Sequence, residues 1–123
     1  MIKFGKNNFI DLENRPRVEL APGIESTILT GDHDEGMMMV LTEVAPGVKV
    51  PMHAHPHEQM GMVFSGSARV TIAGETKIMN KGDFCYFPSD VEHEAECIGD
   101  EPFVMLDIFR PVRDDFLEKI EYL

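Results

Sequence analysis

Glycine and proline punctuate this chain at short intervals, and that spacing limits its possible folds more than any other feature. Turn signals fall at "APG" 21–23, "TGDHDEG" 30–36, "APG" 45–47, Gly66, "AGE" 73–75, "NKGD" 80–83 and "PSD" 88–90. The intervals between them suit strands of about four to eight residues better than helices. "RVTIAG" puts Val70 and Ile72 on one face, while "FCYF" at 84–87 and "FVMLDIF" at 103–109 are rich in aromatic or branched residues. Many short strands separated by Gly and Pro mean an all-β sandwich or barrel. The pattern changes at Val112. Phe116, Leu117 and Ile120 fall at i, i+1 and i+4 behind Pro111, which predicts one short C-terminal helix covering part of the barrel or a partner subunit. The first fifteen or so residues read as a loose lead-in strand. The acidic "GDHDEG" reads as an exposed hairpin turn, with His33 solvated. At 123 residues the expectation is one domain, 1–123, with its core at about 18–110.

A formal charge of −11 argues against nucleic acid or an anionic membrane as partner. It leaves room for an anionic small molecule, since a pocket can carry local positive charge from an Arg or a metal. No apolar run approaches the ~18 residues that span a bilayer, and "MIKFGKNNF" lacks an apolar signal core. Cys85 and Cys97 are too few for a disulfide framework and read as buried, inert thiols; ligation of a metal by Cys97 is a minor alternative. A reduced, cytoplasmic setting is the expectation. Nine methionines, including "GMMMV" at 36–40 and Met52, Met60 and Met62, suit adaptable packing in a core or a subunit interface.

Three of the five histidines crowd into "MHAHPHEQ", residues 52–59. Residues two apart on a strand share a face, so His53 and His55 project into one space, as two imidazoles sharing a metal ion must. Pro56 breaks the strand. The chain then turns through His57 and Glu58, and the side-chain oxygen of Gln59 can return over the same space. His93, after "FPSDVEH", can supply a further nitrogen. Alternatively, Gln59 is a buried amide that orients a water. His57 reads equally as a surface residue, a support for the ligands or a catalytic group, and Glu58 as solvated or at an interface.

Two segments carry a family resemblance. Gly47–Gly66, "GVKVPMHAHPHEQMGMVFSG", resembles the first motif of the cupin superfamily, in which Gly, His-x-His, an acid and Gly follow at these spacings. Gly82–Cys97, "GDFCYFPSDVEHEAEC", resembles the second, with Gly, Pro-x-Gly, His and Asn. The resemblance implies a cupin double-stranded β-helix (a jelly-roll barrel) with the short C-terminal helix added, and often a homodimer. Three positions depart from the pattern: Gln59 for Glu, Asp90 for Gly and Cys97 for Asn. Asp accepts turn conformations. Gln59 alters the chemistry, because three imidazoles and an amide leave a divalent ion its full charge. Such an ion is a better Lewis acid and a poorer support for higher oxidation states. The candidate metal ligands are therefore His53, His55, Gln59 and His93, for Ni, Zn, Fe, Mn, Co or Cu.

In "FVMLDIF", Phe103, Met105, Asp107 and Phe109 share one face and Val104, Leu106 and Ile108 the other. Either face could be core. Asp107 either meets water or an Arg, or faces a metal cavity with a raised pKa. "HPHEQ" together with "DIFRPVRDDFL" resembles the pectin-degradation cupins of the KdgF type. That resemblance implies that Asp107, Phe109 and Arg113 line the pocket beside the metal. Arg110 falls outside the subgroup's position, and without the resemblance Arg113 is an ordinary first-turn residue of the helix. The implied activity is ring opening of 4,5-unsaturated monouronates to linear keto acids, with an anionic sugar acid as small-molecule partner. Two alternatives stay open: another metal-dependent cupin (a dioxygenase or a cyclase-type isomerase) and a non-catalytic cupin that only binds its ligand.

Overall fold

The computed structural model describes residues 8–32 and 36–120. Ten strands occupy the intervals between the turns: β1 Arg17–Ala21, β2 Ile24–Thr30, β3 Met38–Val44, β4 Lys49–His53, β5 Glu58–Ser65, β6 Ser67–Ile72, β7 Glu75–Asn80, β8 Phe84–Phe87, β9 His93–Ile98 and β10 Phe103–Arg110. One helix follows, α1 Asp114–Lys119. All pairings are antiparallel. A six-stranded sheet runs β1-β2-β3-β10-β5-β8, and a four-stranded sheet runs β4-β9-β6-β7. No helix among the described residues is long and apolar enough to cross a membrane.

The core lies between the two sheets. Val44, Val63, Phe87, Phe103 and Met105 from the larger sheet meet Ala68, Val70, Met79 and Cys97 from the smaller. β10 shows which of its faces is inward: Phe103, Met105, Asp107 and Phe109 are buried, and Val104, Leu106 and Ile108 are partly covered on the other side. β10 sits between β3 and β5, so the inward face of this central strand, Asp107 included, looks into the barrel.

A second apolar cluster closes one end. Val112, Phe116 and Leu117 from the α1 region pack on Val18, Ile28, Met38, Val40 and Phe109. A six-residue helix is far too short to stand on propensity. Burial of Phe116 and Leu117, at 5% and 0% exposure, contributes about 1.5–3 kcal/mol for each side chain and holds it in place. The helix begins later than its apolar pattern indicates. Arg113 is its extended N-cap, and Val112 is buried in the plug instead. Residues 121–123 of the predicted helix lie outside the described residues.

Among the described residues, 8–16 form no lead-in strand. Residues 1–7 lie outside the described residues, and Leu12–Asn14 make a 3-10 turn. Asp11 caps it, accepting from Glu13 N–H at 3.2 Å and Asn14 Nδ2 at 2.9 Å. This local side-chain bonding competes with strand pairing, and the first strand starts only at Arg17. The acidic turn links β2 to β3, but His33 itself lies outside the described residues.

Gly66 joins β5 to β6 with φ +75°, and a Cβ there would lie 2.3 Å from the Pro102 oxygen and 2.9 Å from Phe103 Cα. Gly74 has a similar φ of +82° with nothing near. Gly66→Ala is therefore expected to destabilise by about 3 kcal/mol or more, and Gly74→Ala by about 1–2 kcal/mol. Urea denaturation of both variants measures the difference.

Candidate metal centre

β4 and β9 pair so that His53 stands opposite His93, with ring centroids 4.3 Å apart. His55 joins them from beyond the end of β4. The two imidazoles of His-x-His therefore converge, but through a bend after the strand rather than along one continuous strand. That bend is tied to the loop before β9: Asp90 N–H donates to His55 O at 2.8 Å, and Ser89 Oγ donates to Pro56 O at 2.6 Å. Asp90 sits at φ +60°, as a residue replacing turn glycine must.

Each ring is oriented the same way. Nδ1 of His53, His55 and His93 meets the carbonyl of Pro51, His57 and Val91 at 2.8, 3.0 and 2.9 Å. Donation from Nδ1–H fixes the tautomer and leaves the Nε2 lone pairs free, the usual support for metal-binding imidazoles. One ligand atom from each of the three histidines lies within 4.8 Å of the others. His93 Nε2 is buried without a hydrogen-bond partner. Burial pushes the pKa of His93 down to about 4, and burial with the nearby Arg113 charge lowers that of His55. Both rings are thus held in the neutral form that binds metal.

Gln59 and Asp107 enter from the six-stranded sheet, both buried. Gln59 Nε2 donates to Asp107 Oδ1 at 2.9 Å, which turns Gln59 Oε1 toward His55 Nε2 at 3.1 Å. With the His55 proton on Nδ1, those two facing atoms are both acceptors. Such a pair is repulsive alone and favourable around a shared cation, at the 2.0–2.2 Å reach of nitrogen and oxygen ligands. The residues present therefore fit a divalent transition metal. Burial raises the carboxyl of Asp107 to about 7, against the opposing hydrogen bonds from Gln59 and Thr42 and the Arg113 charge.

Phe109 lies beside His55, ring centroids 5.8 Å apart. Arg113 packs its guanidinium 5.0 Å from the Phe109 ring centre and 4.2 Å from that of Phe116. Its Nε and Nη2 are engaged by Asp115 at 3.2 and 2.7 Å. Phe109, Arg113 and Phe116, with His53, Gln59, His93 and Asp107, line a cleft of about 90 Å³ between the sheets, room for one small ligand at most.

The Cupin_2 cupin-domain family matches residues 40–109. The chain belongs to the cupin family. It is 38% identical over 110 residues to the pectin degradation protein KdgF of Dickeya dadantii, spanning 89% of this chain and 96% of that one. Among solved structures, KdgF from Halomonas sp. superposes with a TM-score of 0.79 at 27% identity, covering 89% of this chain and 98% of the other. An RmlC-like cupin from Shewanella frigidimarina gives 0.81 at 28% identity, covering 90% and 96%.

In this cupin, the His57 ring lies 5.5 Å from that of His55, but His57 is not among the three histidines whose ligand atoms converge. Its Nδ1 is buried without a partner, and burial followed by Arg113 lowers its pKa. Glu58 lies on the opposite face of β5 from Gln59, bound by Tyr86 and Arg110. Cys97 donates to Glu101 O at 3.3 Å and takes no part in the centre. Cys85 is driven up to about 12, by burial and then by Asp107, which keeps the thiol protonated and inert. Thr42, Ser26 and Phe87 escaped the sequence reading. Ser26 Oγ and Thr42 Oγ1 bond at 2.7 Å behind Asp107, and the Phe87 ring lies 4.6 Å from His93. For Thr42 the signal was present: it falls in phase with Met38, Val40 and Val44 on the buried side of β3.

His93→Ala should lower metal affinity at least tenfold, and His57→Ala should leave it nearly unchanged; elemental analysis after dialysis against a metal buffer reads both. A second expectation concerns the metal-free protein. The folded pKa of Asp107 lies above the ordinary value of 3.8, at about 7. Between those values the folded state binds more protons than the unfolded state, so stability falls as pH rises through that window. Asp107→Asn removes this dependence. Melting temperatures of chelator-treated protein should show the variant gaining on the wild type between about pH 4 and 7.

Proposed function

We propose that this cupin is a metal-dependent isomerase that opens the ring of 4,5-unsaturated monouronates to give linear keto acids. The observation that carries the reading is Asp107, a buried carboxyl bonded to Gln59, whose side-chain oxygen faces His55 in a group of three convergent imidazoles. The 38% identity to a pectin degradation protein over nearly its whole length supports the substrate class.

His53, His55, Gln59 and His93 would hold the ion, which when bound supplies Lewis-acid stabilisation of negative charge on oxygen. The reaction is an isomerisation. The hemiacetal C1–O5 bond breaks as C1=O forms, O1 loses its proton, C4 gains one, and the C5 enol becomes a ketone. No electrons leave the substrate. Asp107 takes the O1 proton as a carboxylate and returns a proton to C4 as the acid. Burial favours the acid form and a bound cation would favour the carboxylate, so the two opposing influences serve the two halves of the proton transfer. Arg113 receives the substrate carboxylate. Its side-on fork is already held by Asp115, so the end-on pair of Nη atoms is the edge offered. Aromatic packing and the Asp115 pair hold the guanidinium still, which limits the entropy lost on binding. Phe109 packs on the sugar face.

The test is an ultraviolet assay that follows disappearance of the conjugated enol acid. Asp107→Asn should lower turnover by about 10²–10⁴ with unchanged metal content, and Arg113→Ala should act mainly by raising KM. Full activity in the Asp107 variant would remove its role. Oxygen uptake by the iron-loaded protein would favour a dioxygenase, and tight uronate binding without product a ligand-binding cupin.

A further inference from the structure

Asp107 sits on the strand between β3 and β5, and the register puts no polar side chain directly across from it. Val40 stands opposite on β3 and Gly61 on β5. Its donors reach it diagonally instead, one from each neighbouring strand. Gln59, paired with Phe109, lies toward the end of β10, and its amide donates at 2.9 Å. Thr42, paired with Met105, lies toward the beginning of β10, and its hydroxyl bonds the same carboxyl. Diagonal neighbours on one face of a sheet stand close enough for side chains to meet. Directly across from Thr42 on β2 is Ser26, fully buried, with its Oγ 2.7 Å from Thr42 Oγ1.

We propose that Thr42 is the positioning residue of Asp107: its hydroxyl, directed by Ser26, fixes the plane of the carboxyl that moves protons in the ring opening, and the inference rests on that reading of the site. A carboxyl turns broadly about its Cβ–Cγ bond, because that torsion lacks sharp staggered wells. One hydrogen bond, from Gln59, restrains one oxygen and leaves the plane free to swing. A second donor, arriving from the opposite direction along the strand, removes that freedom. The direction of donation follows from a proton count. Thr42 has a single hydroxyl proton. Given to Ser26, it would leave a lone pair facing the carboxylate. With Ser26 as donor to Thr42, that proton is left for Asp107, and the hydroxyls form a one-way chain from Ser26 through Thr42 to the carboxyl. Neither hydroxyl carries charge, so what the pair supplies is orientation. Thr42 also lines the cleft beside Asp107, so the carboxyl it aligns is the one presented to a bound ligand. Alignment matters to turnover, since a misplacement of about 1 Å can cost about 10² in rate.

Thr42→Val keeps the shape and deletes the donor, whereas Thr42→Ser keeps the donor. In the ultraviolet assay of metal-loaded protein, Thr42→Val should lower kcat about ten- to hundredfold with KM and metal content unchanged. Thr42→Ser should restore most of the loss. Thr71→Val, which breaks a hydroxyl pair on β6 of the other sheet, should match the wild type. An unchanged kcat in Thr42→Val, equal losses in the Ser and Val variants, or a loss confined to KM would each overturn the proposal; the last two would make Thr42 a packing group or a direct contact to substrate. A second readout needs no turnover. In urea denaturation of chelator-treated protein, Thr42→Val should shift the unfolding equilibrium by a several-fold smaller factor in an Asp107→Ala background than in the wild type. Additive losses would mean that the two side chains are not coupled, and would overturn the proposal as well. A wild type that opens no uronate would remove the reading of the site, while the denaturation cycle would still decide whether Thr42 holds Asp107, so the two failures are told apart.

Discussion

The hydrogen bond from Gln59 to Asp107 fixes which way the amide at the centre faces. It spans 2.9 Å between two buried groups, and it works because one partner is an amide. A glutamate at 59, as the family motif has, would set a second carboxylate against Asp107 at that distance. Two carboxylates so close cannot both ionise. The amide avoids the conflict. It donates to Asp107 with its nitrogen and keeps its oxygen beside His55, so the group facing the imidazoles stays neutral while the Asp107 carboxyl is free to exchange protons. Of the three departures from the family pattern, the one at Gln59 is thus the one that permits a titrating acid beside the three imidazoles.

The barrel supports this by using both sides of each strand. β10 carries Asp107 and Phe109 inward and Leu106 and Ile108 outward, and β5 does the same with Gln59 and Met60. Behind the inward face, Ser26 and Thr42 extend polar contacts from Asp107 into β2 and β3. In an interior of low dielectric, a carboxyl without such donors would be more costly to keep.

The grouping of His53, His55 and His93 was legible because two of them sit two residues apart and the third follows the turn at "PSD". The orientation of β10 was not. Alternation identifies the inward face only when the other face is polar, and here both faces are apolar, Asp107 apart. Alternation puts Thr42 on the buried side of β3, but hydroxyl residues in strands are ordinary, and nothing local marks Thr42 as the partner of Asp107 or Ser26 as the partner of Thr42. Arg113 reads from the sequence as a first-turn helix residue but caps the helix, because Val112 turns into the end plug. The lead-in segment was misread because Asp11, Glu13 and Asn14 bond among themselves. That competition is local and visible in the residue types, but alternation alone does not weigh it.

The plug at the barrel's end has a reach beyond packing. α1 has six residues and is anchored by Phe116 and Leu117 among side chains of β1, β2 and β3, and it fixes the stretch that delivers Arg113 to the cleft. The cation's position is therefore set by a wedge of hydrocarbon in contact with Val18 near the chain's beginning. Conservative exchanges in that wedge, remote from the imidazoles, offer a route by which related sequences retune what the cleft accepts while the imidazoles stay as they are.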